Sequence, residues 1–205
     1  MDHLEIEVKF YLDRFDPFRR KVIELGGVST GPCFETNFRY EDDGLNLIKQ
    51  GALLRLRKDA KTTLTYKASL PQEDREYKVH RELEVEVDDF DKMNRILEYL
   101  GFHRETIYEK WREVFTLKNV QFCFDQMPFG RFLEIEGTKD DIRYYTEKLN
   151  LNWRDRITMN YLSIFKTLRH QLNLSFSDVT FDNFESIDPH EAQWIPMIKA
   201  EFKHS

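Results

Sequence analysis

Acidic and basic residues recur two positions apart along this 205-residue chain, a spacing that can build a chemical site. Glu5 and Glu7 are followed by Lys9, Arg55 and Arg57 form a second set, Lys110 and Arg112 a third, and Glu134 and Glu136 a fourth. Lys67, Asp125 and the series Glu82, Glu84 and Glu86 stand in similar settings. Side chains two apart on a strand lie on the same face, so each set is a segment of charged wall. Arginine grips phosphate with paired hydrogen bonds, and lysine meets it as a point charge. Carboxylate oxygens take hard divalent cations, and Mg²⁺ favours one or two carboxylates plus substrate phosphates. A ligand that needs both kinds of wall at once is a polyphosphate with its metal.

The elements that carry these residues follow from hydrophobic periodicity. Period-two alternation predicts strands near residues 4–11, 35–40, 53–58, 62–67, 79–88, 108–116, 119–126 and 131–137. Asp16 as N-cap and Pro17 behind it open a helix that Gly26 and Gly27 stop. A second helix fits "DFDKMNRILEYLGF", a third "TKDDIRYYTEKLNL" with Thr138 as cap, and a fourth runs from about Asp155 to Leu172. Turn residues separate the strands at 42–44, 58–61, 70–74 and 117–119. Eight strands, mostly joined by hairpins with helices inserted between them, predict an α+β fold on an antiparallel, barrel-like sheet. Residues 173–205 mix aromatics with turn formers and are expected to wrap over the body as a C-terminal extension.

Apolar residues alternate with the charges on every one of these strands, so one face is core and the other is either solvent or an interior. A solvent face normally scatters Thr, Ser and Gln among its charges. Here the polar phase is almost wholly Arg, Lys, Glu or Asp, which favours charges lining an interior and amphipathic helices covering the apolar outer face. A small barrel interior usually fills with side chains. Leaving it ionised costs several kcal/mol per unpaired ion, a cost rarely kept without a ligand that needs it. In this arrangement Tyr66, Trp111, Phe122 and Phe124 are outer-face packing, and Tyr161 is a core residue on an amphipathic helix.

Composition narrows the classes. The chain is 40% apolar and 33% charged with a formal charge of −6, which suits a soluble globular protein and argues against electrostatic nucleic-acid binding. Cys33 and Cys123 are too few for a disulfide framework and read as reduced thiols. No secretory leader or bilayer-spanning run is visible, so a cytoplasmic protein without membrane partners is expected. The six histidines show no metal-ligand spacing, and no glycine-rich phosphate loop occurs.

The sequence resembles the CYTH superfamily, the triphosphate tunnel metalloenzymes. The resemblance rests on Glu5-Ile6-Glu7-Val8-Lys9 as the ExExK hallmark, Arg55-Leu56-Arg57, "LTYK" ending at Lys67, "RELEVEV" at 81–87, "EKWR" at 109–112 and "FDQMPFGRFLEIEG" at 124–137. It spans roughly residues 4 to 165, with a CYTH domain drawn over 1–172, and is most similar to the class IV adenylate cyclase-like branch. It implies an eight-stranded closed β-barrel, the triphosphate tunnel, with helices packed outside, and a Mg²⁺ or Mn²⁺ requirement. Carried over by position, Glu5, Glu7, Lys9, Glu134 and Glu136 would be catalytic, with metal held by Glu5, Glu7, Glu134 and Glu136 and by Asp125 nearby. Lys9, Arg55, Arg57, Lys67, Lys110 and Arg112 would bind the triphosphate, while Glu82 and Glu84 would be wall residues of unassigned role. Cyclases of this family often carry a QxDxY-like second strand, and this chain has Glu35-Thr36-Asn37-Phe38-Arg39 there, a departure that bears on the nucleobase pocket.

The resemblance implies conversion of ATP to cyclic AMP and pyrophosphate. The same charged site would also serve a triphosphatase acting on inorganic tripolyphosphate, thiamine triphosphate or nucleoside triphosphates, or a non-catalytic triphosphate sensor. The expected partner is a small-molecule triphosphate, ATP or polyphosphate, and a homodimer is left open.

Overall fold

The computed structural model describes residues 3–70, 74–185 and 187. Alternating sequence forms β1 (His3–Tyr11), β2 (Val28–Asp42), β3 (Ala52–Lys58), β4 (Thr62–Ser69), β5 (Lys78–Glu86), β6 (Phe102–Leu117), β7 (Val120–Met127) and β8 (Gly130–Glu136). A two-residue β9, Arg156–Ile157, follows later. The strands β2 and β6 are longer than their sequence signal. Their register shifts between Ser29 and Pro32 and again between Arg39 and Tyr40, so the alternation is interrupted at both places.

The sheet is not the eight-stranded closed barrel that the resemblance implies. The sheet has nine strands in the order β5-β4-β3-β2-β6-β7-β8-β1-β9. An additional β5–β1 pairing links eight of them in a hydrogen-bonded ring, and β9 also joins β1, so this is not a closed eight-stranded barrel. The reason lies in β1, whose residues His3 to Glu7 pair with β5 while Lys9 and Phe10 pair with Ile157 and Arg156 of β9. Buried backbone groups need partners, and β9 serves the part of β1 that β5 does not reach.

Helices α1 (Asp16–Glu24), α2 (Asn46–Lys49), α3 (Phe90–Tyr99), α4 (Lys139–Lys148), α5 (Tyr161–Gln171) and α6 (Phe181–Phe184) lie between and after the strands. Thr138 caps α4 through the Asp141 N–H, and Asp89 caps α3 through the Lys92 N–H. Asp16 is not a cap: Phe15 holds that position and Asp16 lies in the first turn, where its charge still suits the helix dipole. The helix expected from Asp155 begins only at Tyr161, after a 3-10 turn at Trp153–Asp155 and β9, with Asn160 as its N-cap. Among the described residues no helix is long and apolar enough to cross a membrane.

The core has three parts. Val8, Phe10, Phe122, Phe124, Leu133 and Ile135 alternate with the charged residues of their strands and are covered by Val22 of α1 and by Ile142 and Tyr145 of α4. Tyr40 and Leu56 are covered by Leu97 of α3. The third part has a different origin. Tyr108, Met127 and Phe132 are in phase with Lys110, Asp125 and Glu134, so they belong to the charged face of the sheet. They pack with Tyr161, Ile164, Phe165 and Leu168, so α5 fills one end of the interior where a helix on the outside was expected. Trp111 also departs from expectation, being 47% exposed against Phe34 and not buried under a helix. The described part of the tail packs on this third cluster through Val179 and Phe184, and Val179 exchanges backbone hydrogen bonds with Ile107 and Glu109. Residues 188–205 of the expected extension lie outside the described residues.

Two glycines end α1 for different reasons. Gly26 sits at φ +98°, a left-handed conformation that costs an L-residue about 1–2 kcal/mol. A Cβ on Gly27 would lie 2.9 Å from the Val22 carbonyl oxygen and closer still to its side chain. Urea denaturation is expected to find Gly26→Ala less stable by about 1–2 kcal/mol and Gly27→Ala less stable by about 1–3 kcal/mol, the overpacking range. Unchanged midpoints would contradict this account of the turn.

Candidate active site

The charged phases of β1 to β8 converge on a cavity of about 580 Å³. Its lining brings together Glu5, Glu7, Lys9, Arg55, Arg57, Lys67, Glu82, Glu84, Lys110, Arg112, Glu134 and Glu136. Asn160, Tyr161 and Leu162, where α5 begins, form its floor beside the aromatic cluster. Away from that floor the wall opens: exposure along β1 rises from 1% at Lys9 to 5% at Glu7 and 8% at Glu5. Glu86, in phase but beyond the cavity, is exposed and pairs with Lys61 at 2.6 Å.

Opposite charges meet across neighbouring strands. Lys9 lies 2.6 Å from Glu134. Lys67 lies 2.5 Å from Glu5 and 3.0 Å from Glu82. Arg55 donates to Thr65 at 3.1 Å, whose hydroxyl donates in turn to Glu84 at 2.9 Å. Arg57 lies 3.1 Å from Asp59 and 3.5 Å from Glu84. Seven cations and eight carboxylates line the cavity, a near balance that makes so much buried charge sustainable.

Asp125, expected near the metal, lies on the same interior face but is fully buried beneath the cavity-lining cations, where Arg112 donates to Oδ1 at 2.6 Å and Oδ2 at 2.5 Å. Lys110 donates to Oδ2 at 3.1 Å and the Tyr161 hydroxyl at 2.8 Å. Glu134, also expected as a ligand, is held by Lys9 and Arg112. The Tyr161 ring lies under the ammonium groups of Lys9 at 4.3 Å and Lys110 at 5.5 Å, so this residue is a floor element of the site as well as part of the core.

Three further charged residues line the cavity: Lys78, Glu35, and Asp59 of the turn at 58–61. Lys78 lies two positions before His80 and in phase with Glu82, one residue ahead of the strand signal that begins at residue 79. It pairs with Glu7 in the cavity wall. Glu35, in the cell of the sheet next to Lys110, is 4% exposed and lies 3.5 Å from Lys110 and 3.9 Å from Arg112. Its signal was present in the alternation of Glu35 with Asn37 on β2.

The electrostatics follow from these neighbours. Burial pushes the Glu35 carboxyl up, but Lys110, Arg112, Arg57 and Arg55 outweigh it and hold the pKa at about 2. Burial and Glu134 likewise push Glu7 up, and Lys78, Lys9 and Lys67 bring it down to about 2. Glu136 is the exception among the cavity glutamates of β1 and β8. No cation pairs with it among the described residues, and burial followed by repulsion from Glu5 and Glu7 raises it to about 7. Burial and then Lys78 lower His80 to about 4.

Among the described residues no group of three or more His, Cys, Asp or Glu stands ready-spaced around an ion. The donor chemistry nevertheless fits a hard divalent cation, because Glu136 carries a charge that its own surroundings resist and that such a cation would relieve. Glu136, Glu5 and Glu7 are the residues that could hold it.

The CYTH domain family model matches residues 3–182. A Methanocaldococcus jannaschii protein provisionally named an adenylate cyclase is 26% identical over 167 residues, covering 80% of this chain and 89% of that protein. A Vibrio parahaemolyticus crystal structure, also provisionally named an adenylate cyclase, superposes with a TM-score of 0.69 at 21% identity over 81% of this chain and 99% of its own. A Hippeastrum structure described as a provisional adenylyl cyclase with dominant triphosphatase activity gives a TM-score of 0.58 at 16% identity, covering 80% of this chain and 95% of that one.

Two measurements test the geometry. Removing the Asp125 charge in Asp125→Asn leaves Arg112 and Lys110 short of their counter-ion, and breaking a buried pair from one side costs about 3–5 kcal/mol, read as a lower urea midpoint. An unchanged midpoint would mean that Asp125 is not the buried hub. The second test uses pH in the absence of divalent metal. A carboxyl raised from 4.5 to about 7 favours the folded state progressively as pH falls from 7 to 4.5, so Glu136 makes the chain more stable on acidification. A histidine lowered from 6.5 to about 4 acts oppositely, so stability is lost as pH falls through the same region. Glu136→Gln is therefore expected to steepen the loss of stability between pH 7 and 4.5, and His80→Gln to flatten it. Parallel pH profiles for both variants and the natural chain would refute the assignment.

Proposed function

The chain belongs to the CYTH domain family, and from that premise we propose that it is a divalent-metal-dependent enzyme converting ATP to cyclic AMP and pyrophosphate. The observation that carries the reading is Glu136, the carboxylate without a cation partner among the described residues, set on β8 farther from the α5 floor than Glu134. A triphosphate that runs from the floor outward would lay its terminal phosphate against Lys9, Lys110 and Arg55 and its α-phosphate beside Glu5 and Glu136. The nucleoside would then remain at the more exposed rim, near Glu84 and Asp59.

In this reading the floor cations bind and orient the phosphate that will leave. Arg55 and Arg57, pre-set by their bonds to Thr65 and Thr63, add donors that need little reorganisation. When bound, a Mg²⁺ or Mn²⁺ ion would supply Lewis-acid polarisation of the phosphoryl oxygens, held by Glu136 with Glu5 and Glu7. The 3′-hydroxyl of ATP would release its proton to solvent at the exposed rim as its oxygen bonds to the α-phosphorus, and the bond from the α-phosphorus to the oxygen bridging it to the β-phosphorus would break, that oxygen leaving with pyrophosphate. In this reading the aromatic floor would shield the terminal phosphate from water and so disfavour hydrolysis there. The provisional name of the Methanocaldococcus jannaschii relative supports the same reaction class. Attack by water, as in the activity described for the Hippeastrum protein, is the competing chemistry.

Incubation of the purified chain with ATP and Mg²⁺ or Mn²⁺, with products resolved by chromatography, is expected to yield cyclic AMP and pyrophosphate, and none in excess chelator. Arg55→Ala is expected to raise KM by about ten- to hundredfold, the loss of a charge-assisted contact of about 1.5–3 kcal/mol. Equal use of ATP and inorganic tripolyphosphate, with orthophosphate released and no cyclic product, would replace this reading with a triphosphatase.

A further inference from the structure

The cavity glutamates Glu5, Glu7, Glu134 and Glu136 differ in what the chain itself offers them. Glu134 has Lys9 and Arg112. Glu5 has Lys67, which is shared with Glu82 at 3.0 Å and can fall back on it. Glu7 has Lys78, placed opposite it by the β1–β5 register, bonded to Oε1 and only 17% exposed along its side chain. The same Oε1 also faces the Lys9 ammonium at 3.9 Å. Lys78 is ion-paired to no carboxylate except Glu7 among the described residues, so it cannot release Glu7 without becoming a buried, unpaired cation. Glu136 forms no ion pair among the described residues, and Lys67 reaches it only at longer range.

We propose that Lys78 is a built-in cation of the carboxylate cluster, occupying with its ammonium the place of one metal ion, so that the chain binds a single divalent ion through Glu136 and Glu5. The proposal rests on the divalent-metal reading above and narrows it. An ion approaching Glu7 would meet Lys78 and Lys9 at the same oxygen, and like charges at that range repel strongly in a site shielded from water. At Glu136 the balance reverses, because the β1–β8 register sets it directly across from Glu7, with Glu5 two residues along the same face. A site of this kind acts on the substrate with one metal and with fixed ammonium groups where a two-metal site would carry its second ion.

The test counts ions. The full chain, stripped with chelator and dialysed, is titrated with Mn²⁺ alone, and free Mn²⁺ is read by its electron paramagnetic resonance signal. One ion per chain is expected for the natural protein. Lys78→Gln, which keeps a hydrogen-bond donor beside Glu7 without its charge, is expected to bind two, while Lys78→Arg is expected to bind one. Circular dichroism and a cooperative urea transition establish that each variant is folded. Two ions on the natural chain, no ion, or one ion on folded Lys78→Gln would each overturn the proposal, and the count on the natural chain does so even if that variant does not fold. Triphosphate turnover measured in parallel separates the two levels. Two bound ions with metal-dependent turnover would remove the Lys78 proposal and leave the enzyme reading standing, whereas no bound ion and no turnover would remove both.

Discussion

The buried carboxylate of Asp125 ties together three elements that have no other reason to keep their charged side chains aligned. It accepts from Arg112 and Lys110 on β6 and from Tyr161 on α5, while its own strand, β7, pairs with both β6 and β8. A carboxylate with no exposure is tolerable only when its oxygens are satisfied, and here the satisfaction comes from cations that also line the cavity. Asp125 therefore works from beneath the cavity lining. It fixes the direction in which Arg112 and Lys110 point, and through Arg112 it reaches Glu134 and Lys9. The cavity is a network of pairs in which removal of one member leaves its neighbours short of a partner.

The same strand faces carry two kinds of interior. Toward α5 they bear Tyr108, Met127 and Phe132, and away from it they bear ionised side chains. Packing α5 against the aromatic part gives the cavity a floor backed by aromatic side chains, and the ring of Tyr161 lies where that floor meets Lys9 and Lys110. An ammonium over an aromatic face keeps part of its stabilisation when water is excluded. The floor and the cations above it are thus one construction, which gives the cavity a direction: fixed cations at its base and Glu136, without an ion pair among the described residues, farther out.

That construction depends on strand β1. Its first residues pair with β5, which brings Lys78 across from Glu7, and its last pair with β9, which leads directly into α5. The split pairing yields a nine-stranded sheet and also positions the floor helix. A β5 long enough to follow β1 to its end would have left β9 without an edge and α5 without this route to the interior.

Much of this was legible in the chain itself. Alternation is a property of local backbone geometry, so it assigns Glu5, Glu7 and Lys9 to one face and Val8 and Phe10 to the other before any partner strand is known. The same holds for Arg55 with Arg57, Lys110 with Arg112 and Glu134 with Glu136, all of which line the cavity. Caps such as Thr138 are local as well and were readable. What alternation cannot contain is the identity of the neighbour across the sheet. Which carboxylate Lys78 meets, why Asp125 gathers Arg112, Lys110 and Tyr161, and why Glu136 forms no ion pair among the described residues are set by register between strands far apart in sequence. Tyr161 has the same helical spacing whether its helix lies outside the sheet or at the end of its interior, so periodicity could not distinguish the two. Those outcomes belong to the tertiary structure, because pairing, burial and charge balance arise only when distant segments share one space.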